Sequence, residues 1–192
     1  MFKGTSASAG IGIGKAVIVE EAELVITRNE VADAEAEIQR FKGALEKTIA
    51  ATQKMADDLA SRVGEKEAEI MQGHMMLLSD PMLTGEIENS VKNDKVNCEF
   101  AIENVCNMYA DMFASMGDEL MQQRATDMRD IKVRMQRTLM GLESVDVSLL
   151  PKGSILVAKD LPPSMTAGIN PENVSGIVTE LGGKTSHSAI LA

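Results

Sequence analysis

Tryptophan is absent from this 192-residue chain, Tyr occurs once and Phe four times, so aromatic rings account for only 3% of it. A core built with so few rings must rest on aliphatic side chains and on the fourteen Met residues, which fill irregular gaps because they are flexible. Cysteine is scarce too. Cys98 and Cys106 fall in one predicted helix, where a rise of ~1.5 Å per residue places them about 12 Å apart. That is too far for a disulfide. With no metal-ligand pattern beside them, they read as reduced thiols of the core or surface. No apolar run approaches the ~20 residues needed to span a bilayer, and no charged-then-apolar segment opens the chain. The expected location is the cytoplasm. Basic residues are in deficit, 19 Lys and Arg against 29 Asp and Glu, for a net charge of −10. That balance argues against nucleic acid or an anionic membrane as partner and suits a basic protein better.

The length admits one large or two small domains. Residues 1–26 read as strands around a glycine-spaced turn, Gly10-Ile11-Gly12-Ile13-Gly14, followed by Lys15-Ala16-Val17-Ile18-Val19. The glycine run fails as a nucleotide loop. A Walker A loop ending at Gly14-Lys15 needs Gly at position 9 and Ser or Thr at position 16, and both are Ala. A dinucleotide fingerprint would need Gly or Ala where Lys15 sits. A tight strand connection is the better reading.

From about Asn29 the period changes to three and four. Val31, Ala34, Ile38, Phe41, Leu45, Ile49, Thr52, Met55, Leu59 and Val63 predict a long helix ended by Gly64. Further helices are predicted from about Glu65 to Leu78, from Pro81 to about Asn93, from after Asn97 through Leu120, and from about Thr126 through Leu142. Short connections favour antiparallel neighbours, hence a bundle. Strand character returns at Ser154-Ile155-Leu156-Val157-Ala158 and at Val174 to Thr179, with a short helix between them from Ser164 to Gly168. The fold class is therefore α/β plus all-α. Residues 1–28 and 144–192 form a small discontinuous α/β domain, into which an antiparallel helical bundle, residues 29–143, is inserted.

Chemistry concentrates after the last strand, at Gly182-Gly183-Lys184-Thr185-Ser186-His187-Ser188. A glycine turn followed by a helix start, with Thr185 or Ser186 as N-cap, puts His187 where free backbone N–H groups and the helix dipole favour phosphate. An imidazole of unperturbed pKa near 6.5 is about nine-tenths neutral at pH 7.5, so its lone pair is free to attack phosphorus. Lys184 and the Thr and Ser hydroxyls could hold the phosphoryl oxygens. Standing alone, a His here would be a capping or packing residue.

The stretch 64–100 carries eight acidic side chains against three basic ones, beside Met71, Met75, Met76 and Met82. An acidic rim round a Met centre suits a basic partner with an apolar patch, although a plain solvated charge face fits the composition as well.

The string around His187 resembles the phosphohistidine motif of the phosphoenolpyruvate-utilising enzymes, most of all the enzyme I group of the bacterial sugar phosphotransferase system. That group usually has Arg where Lys184 stands; Lys supplies a point charge instead of a planar fork. The opening glycine segment is similar to the start of the same enzymes. Gly64-Glu65-Lys66-Glu67-Ala68 through Gly73-His74-Met75-Met76-Leu77-Leu78-Ser79-Asp80 is similar to their partner-binding hairpin, and Ala125-Thr126-Asp127-Met128-Arg129-Asp130-Ile131 to a helical signature further on.

The resemblance implies phosphoryl transfer from phosphoenolpyruvate to His187 through Nε2. Transfer then continues to a His of the small histidine-containing phosphocarrier protein. Gly182, Gly183, Lys184, Thr185 and Ser186 would support the phosphate, and Thr166 would hydrogen-bond the resting His187. Glu65, Glu67, His74, Met76, Leu77, Asp80, Leu83 and Arg124 would touch the carrier. Phosphoenolpyruvate and Mg²⁺ would bind a C-terminal barrel outside this chain, so no metal is expected here. The same unspanned part makes the family dimeric, and the chain itself is expected to be a monomeric fragment with a truncated α/β domain. Within the same chemistry the alternative is the swivelling domain of a pyruvate-phosphate dikinase-like enzyme, which lacks the helical insertion. From another class, the alternative is a non-catalytic helical module that binds a protein.

Overall fold

The computed structural model describes residues 4–182, the side chain of Glu67 excepted. Two compact units emerge. One joins the segment up to Ala22 with the segment from Val145, and the other runs from Glu23 to Ser144.

The first unit holds three parallel strands in the order β1, β2, β3: Lys15–Val19, Ser154–Ala158 and Val174–Thr179. β1 pairs with β2 in the register Lys15 to Ser154 through Val19 to Ala158. β2 pairs with β3, with an irregularity between Ser154 and Ile155. Short helix α6 (Pro163–Gly168) connects β2 to β3, as parallel pairing requires a crossover. One face of the sheet, through Val19, Leu156 and Ala158, packs on Val147, Leu150 and Leu161. Of residues 4–26, only Lys15–Val19 forms a strand. The glycine turn nonetheless has a clear physical reason. A Cβ on Gly12 would stand 2.1 Å from the Ser175 carbonyl oxygen, and one on Gly14 2.0 Å from that of Gly153. Only glycine lets this backbone lie so close to the starts of β2 and β3.

The second unit is a five-helix bundle: α1 (Ala34–Arg62), α2 (Glu65–Leu78), α3 (Pro81–Asp94), α4 (Cys98–Ser115) and α5 (Glu119–Met140). Its core runs through Ile38, Phe41, Leu78, Ile87, Ile102, Met128 and Ile131. Three boundaries depart from the periodicity. α1 starts at Ala34, because Asp33 caps it by accepting from the Ala36 N–H at 3.0 Å. The residues before it are used otherwise: Val31 N–H donates to Lys95 O, and Asn97 N–H to Asn29 O, an antiparallel bridge onto the α3–α4 link. For the same reason the helical unit begins at Glu23 and not at 29. α4 ends at Ser115, and α5 begins at Glu119, well before Thr126. Gly117, with φ of +80°, breaks the first helix, and Asp118 caps the second through the Met121 N–H at 2.9 Å.

Charge knits the bundle. Arg40 forks onto Glu37 at 2.7 Å and Glu99 at 2.8 Å, while the Glu37 carboxylate also accepts from the Cys98 N–H at 2.8 Å. Burial alone would push Glu37 and Glu99 up, but Arg40, together with the Cys98 N–H at Glu37 and Asn97 at Glu99, outweighs it and holds both carboxyls below the usual range.

Candidate active site and docking face

His187, with Gly183, Lys184, Thr185 and Ser186, lies outside the described residues. The approach to it is described. β3 ends at Thr179, yet pairing with β2 continues, since Glu180 N–H donates to Ala158 O at 3.2 Å and Leu181 N–H to Lys159 O at 2.8 Å. Gly182 follows with φ of +100°, a backbone that favours glycine. The segment is thus carried to the carboxyl ends of β2 and β3, the end of a parallel sheet where ligands bind. α6 starts at the same end. Its Thr166 is buried, and its hydroxyl donates to Pro162 O at 3.0 Å or Leu161 O at 3.2 Å. With that proton used inside the turn, the oxygen's spare capacity is as an acceptor, which suits an imidazole N–H.

On the helical unit the expected contact residues separate into two sets. Met76 is 70% exposed and Met82 68%, and Glu65 is exposed as well. Leu77, Asp80 and Arg124 are half-buried. The side chain of Glu67 lies outside the described residues. By contrast, His74 and Met71 are fully buried, and Leu83 nearly so. These three are corrections: they sit under the surface of α2 and α3, so they can support a docking face but present none. The reason is their phase. Met71, His74 and Leu78 step by three and four along the inward side of α2. Met71 therefore leaves the Met centre to the exposed Met76 and Met82 and the half-buried Met75. The acid rim has an electrostatic trace, since burial first and then the carboxylates of Glu86 and Asp80 push the Tyr109 phenol upward.

Two relationships between α2 and α5 were not readable beforehand. His74 Nε2 stands 3.3 Å from Asp127 Oδ1, although the ring N–H is not aimed at that oxygen and neither atom has a hydrogen bond. Beside it, Arg124 lies over Gly73, where a Cβ would meet its Nη1 at 2.9 Å. Asp127 falls in the string singled out for resemblance, but its partner lies on another helix, and no spacing rule reveals that. α5 also meets α1 through Arg134, whose Nη2 donates to Thr52 Oγ1 at 2.6 Å. Burial pulls that guanidinium downward, partly opposed by Asp130.

Comparison with known proteins gives this arrangement its relatives. The description "PEP-utilising enzyme, N-terminal" matches residues 3–124, and "PEP-utilising enzyme, mobile domain" matches residues 150–192. The chain is 40% identical over 191 residues to the phosphoenolpyruvate-protein phosphotransferase of Bacillus subtilis, covering 100% of this chain and 34% of that protein. It is 42% identical to the one from Listeria monocytogenes, again over 100% of the chain and 33% of the relative. It therefore spans about a third of the length of the curated relatives it matches. Among solved structures, an NMR solution structure of Enzyme I superposes with a TM-score of 0.86 at 37% identity, over 100% of this chain and 78% of that one. An N-terminal domain of Enzyme 1 - Nitrogen follows, with a TM-score of 0.68 at 25% identity over 96% and 76%. Matched over most of its length and in the same architecture, the chain belongs to the PEP-utilising enzyme family and represents its Enzyme I-like N-terminal region.

Proposed function

We propose that this chain carries the phosphoryl relay of a phosphoenolpyruvate-protein phosphotransferase, with His187 as the acceptor and a small histidine-containing phosphocarrier protein as the recipient. The observation that carries the reading is the delivery of Gly182 to the carboxyl ends of two parallel strands, with the buried Thr166 on the short helix that follows the first of them. His187 follows five residues later in a glycine- and hydroxyl-rich string. In the forward step an N–P bond forms at His187 as the enolpyruvate C–O–P link breaks at the phosphorus–oxygen bond. In the second step that N–P bond breaks as another forms on the carrier's His. Both are in-line displacements that ask the protein for positioning and charge stabilisation. Gly182 and Gly183 allow close approach, Lys184, Thr185 and Ser186 hold the phosphoryl oxygens, and Thr166 orients the resting imidazole.

The α1–α5 unit is the docking platform, with Glu65, Glu67, Met76, Leu77, Asp80 and Arg124 at its surface and His74 and Leu83 supporting it from beneath. Its acidic side favours a basic carrier. Phosphoenolpyruvate binding with Mg²⁺, and dimerisation, belong to the length of the relatives that this chain does not span. Among the described residues no group of three or more His, Cys, Asp or Glu could hold a metal ion, and no step above runs through one. No described helix is long and apolar enough to cross a membrane.

The test is to mix the chain with phosphorylated carrier and follow the phosphoryl group by intact mass and acid lability. One phosphoryl group should appear on the chain and none on His187→Ala, with both chains equally helical. Labelling of the Ala variant would move the acceptor elsewhere. A chain that binds carrier but is never labelled would instead be a non-catalytic docking module.

A further inference from the structure

The geometry points to Gly73 as a positioning residue: it is a notch in α2 that seats the Arg124 guanidinium, unpaired, at the docking face. The inference rests on the docking reading above. Glycine in a helix interior is destabilising relative to Ala, so it calls for a reason. Backbone conformation supplies none, because Gly73 is not among the positive-φ residues and sits in the middle of α2. Packing does. A Cβ there would stand 2.9 Å from Arg124 Nη1 and 3.8 Å from Cζ, and no other contact within 4 Å accompanies these two. Gly43 in α1 and Gly85 in α3 are helical as well, yet a Cβ on either would meet nothing within 4 Å. The gap in α2 therefore fits one side chain only.

Arg124 is half-buried, and among the described residues its guanidinium makes no hydrogen bond or ion pair. Five N–H donors in a rigid fork are thus held in place without a partner. Beside α2, where Glu65, Glu67 and Glu69 stand against a single Lys66, such a fork recognises acceptor groups, namely carbonyl or carboxylate oxygens of the docking protein. Neighbouring residues fix the seat, since His74 beside Gly73 and Asp127 one turn from Arg124 approach within 3.3 Å across the same two helices. An alanine at 73 meets only the far end of a flexible side chain. It would move the guanidinium and leave the fold intact.

The experiment measures carrier-protein affinity by calorimetry for the chain and for Gly73→Ala, Arg124→Ala, the double variant, and Glu65→Lys as a docking control, with thermal melts of each. Gly73→Ala should bind carrier about tenfold more weakly, the scale of one charge-assisted hydrogen bond. Its melting temperature should be equal or higher, which a merely structural glycine would not give. The double variant should bind no more weakly than Arg124→Ala. If Glu65→Lys weakens binding while Gly73→Ala does not, Gly73 is no positioning residue and the docking reading survives. Additive losses in the double variant also overturn the proposal, since Gly73 would then act independently of Arg124. If Glu65→Lys and Arg124→Ala both bind like the parent chain, the docking face itself is wrong, and this inference falls with it. Should Gly73→Ala melt early, the double variant, which lacks the colliding group, decides by the same comparison.

Discussion

His74 and Asp127 face each other across α2 and α5 at 3.3 Å, with the imidazole wholly shielded from water and the carboxylate nearly so. Both ring nitrogens and the facing carboxylate oxygen lack a hydrogen bond. The pair is held by proximity across the two helices, not by a hydrogen bond. His74→Ala should lower the stability of the bundle by about 2–4 kcal/mol, chiefly through the cavity it leaves beneath α2. His74→Leu with Asp127→Leu should cost less than the sum of the two single changes. Urea unfolding followed by circular dichroism checks both, and strict additivity would mean the pair does not interact.

The cysteines should be chemically silent in the folded chain. Burial pushes both the Cys98 and Cys106 thiols up to about 12, so neither offers thiolate to an alkylating reagent. Cys98 Sγ is further engaged, donating to Glu37 O at 3.1 Å. At about pH 8 the native chain should take up no iodoacetamide, and the denatured chain two equivalents. Rapid labelling of the native chain would show that α4 opens far more readily than its packing implies.

Acid should loosen the bundle by a defined route. Glu37, Glu99 and Glu103 all sit below the usual carboxylate range. In each, burial pushes upward and is outweighed by the partners taken together: Arg40 with Cys98 at Glu37, Arg40 with Asn97 at Glu99, and Gln136, Lys132 and Asn107 at Glu103. A lowered folded pKa contributes stability that is complete above the ordinary value of about 4.3 and fades as pH falls through the lowered one. Melting temperature should thus hold steady near neutrality and fall below about pH 4. Arg40→Met should lower it at neutral pH and flatten the acid slope, because Glu37 and Glu99 then titrate nearer their ordinary value. An unchanged slope would exclude the Arg40 brace as its cause.

Glycines should divide by what surrounds them. Gly14→Ala drives a Cβ against the backbone oxygen of Gly153, which cannot swing aside as a side chain could. It should destabilise the α/β unit by about 1–3 kcal/mol or more. Loss of amide protection over 154–158 would report it. Gly43→Ala meets open space and should stabilise the bundle by about 0.5–1 kcal/mol. Equal effects at the two positions would mean that the close approach at Gly14 relaxes freely.

Local chemistry made most of this legible beforehand. Asp80-Pro81 set the start of α3, Gly64 the break before α2, and the switch from period 2 to period 3.6 the inserted bundle. The misreadings share one cause. Met112, Met116 and Leu120 keep a four-residue step straight across the Gly117-Asp118 turn, so periodicity runs past a real helix end. Likewise the apolar step from Val31 into Ala34 masks a segment whose backbone pairs with residues 95–97. His74, Leu83 and Arg124 show the limit more sharply. Whether a side chain on an amphipathic helix lies outside, beneath or across a neighbour is decided by the partner helix, and for His74 that partner, α5, is some fifty residues away in sequence.

Each unit brings its own two ends together. In the α/β unit the Val145 N–H donates to Glu21 Oε1 at 3.3 Å. In the bundle, Arg40 near the start of α1 donates to Leu139 O near the end of α5, at 3.4 Å. An insertion rooted at adjacent points can be treated as a cassette. Residues 23–144 can be excised and the wound closed with a short flexible joint, since closing so small a gap exacts little loop entropy. The excised bundle can equally be circularised or grafted into a loop of another protein. On the proposed function, acceptor segment and docking platform could then be swapped independently between relatives.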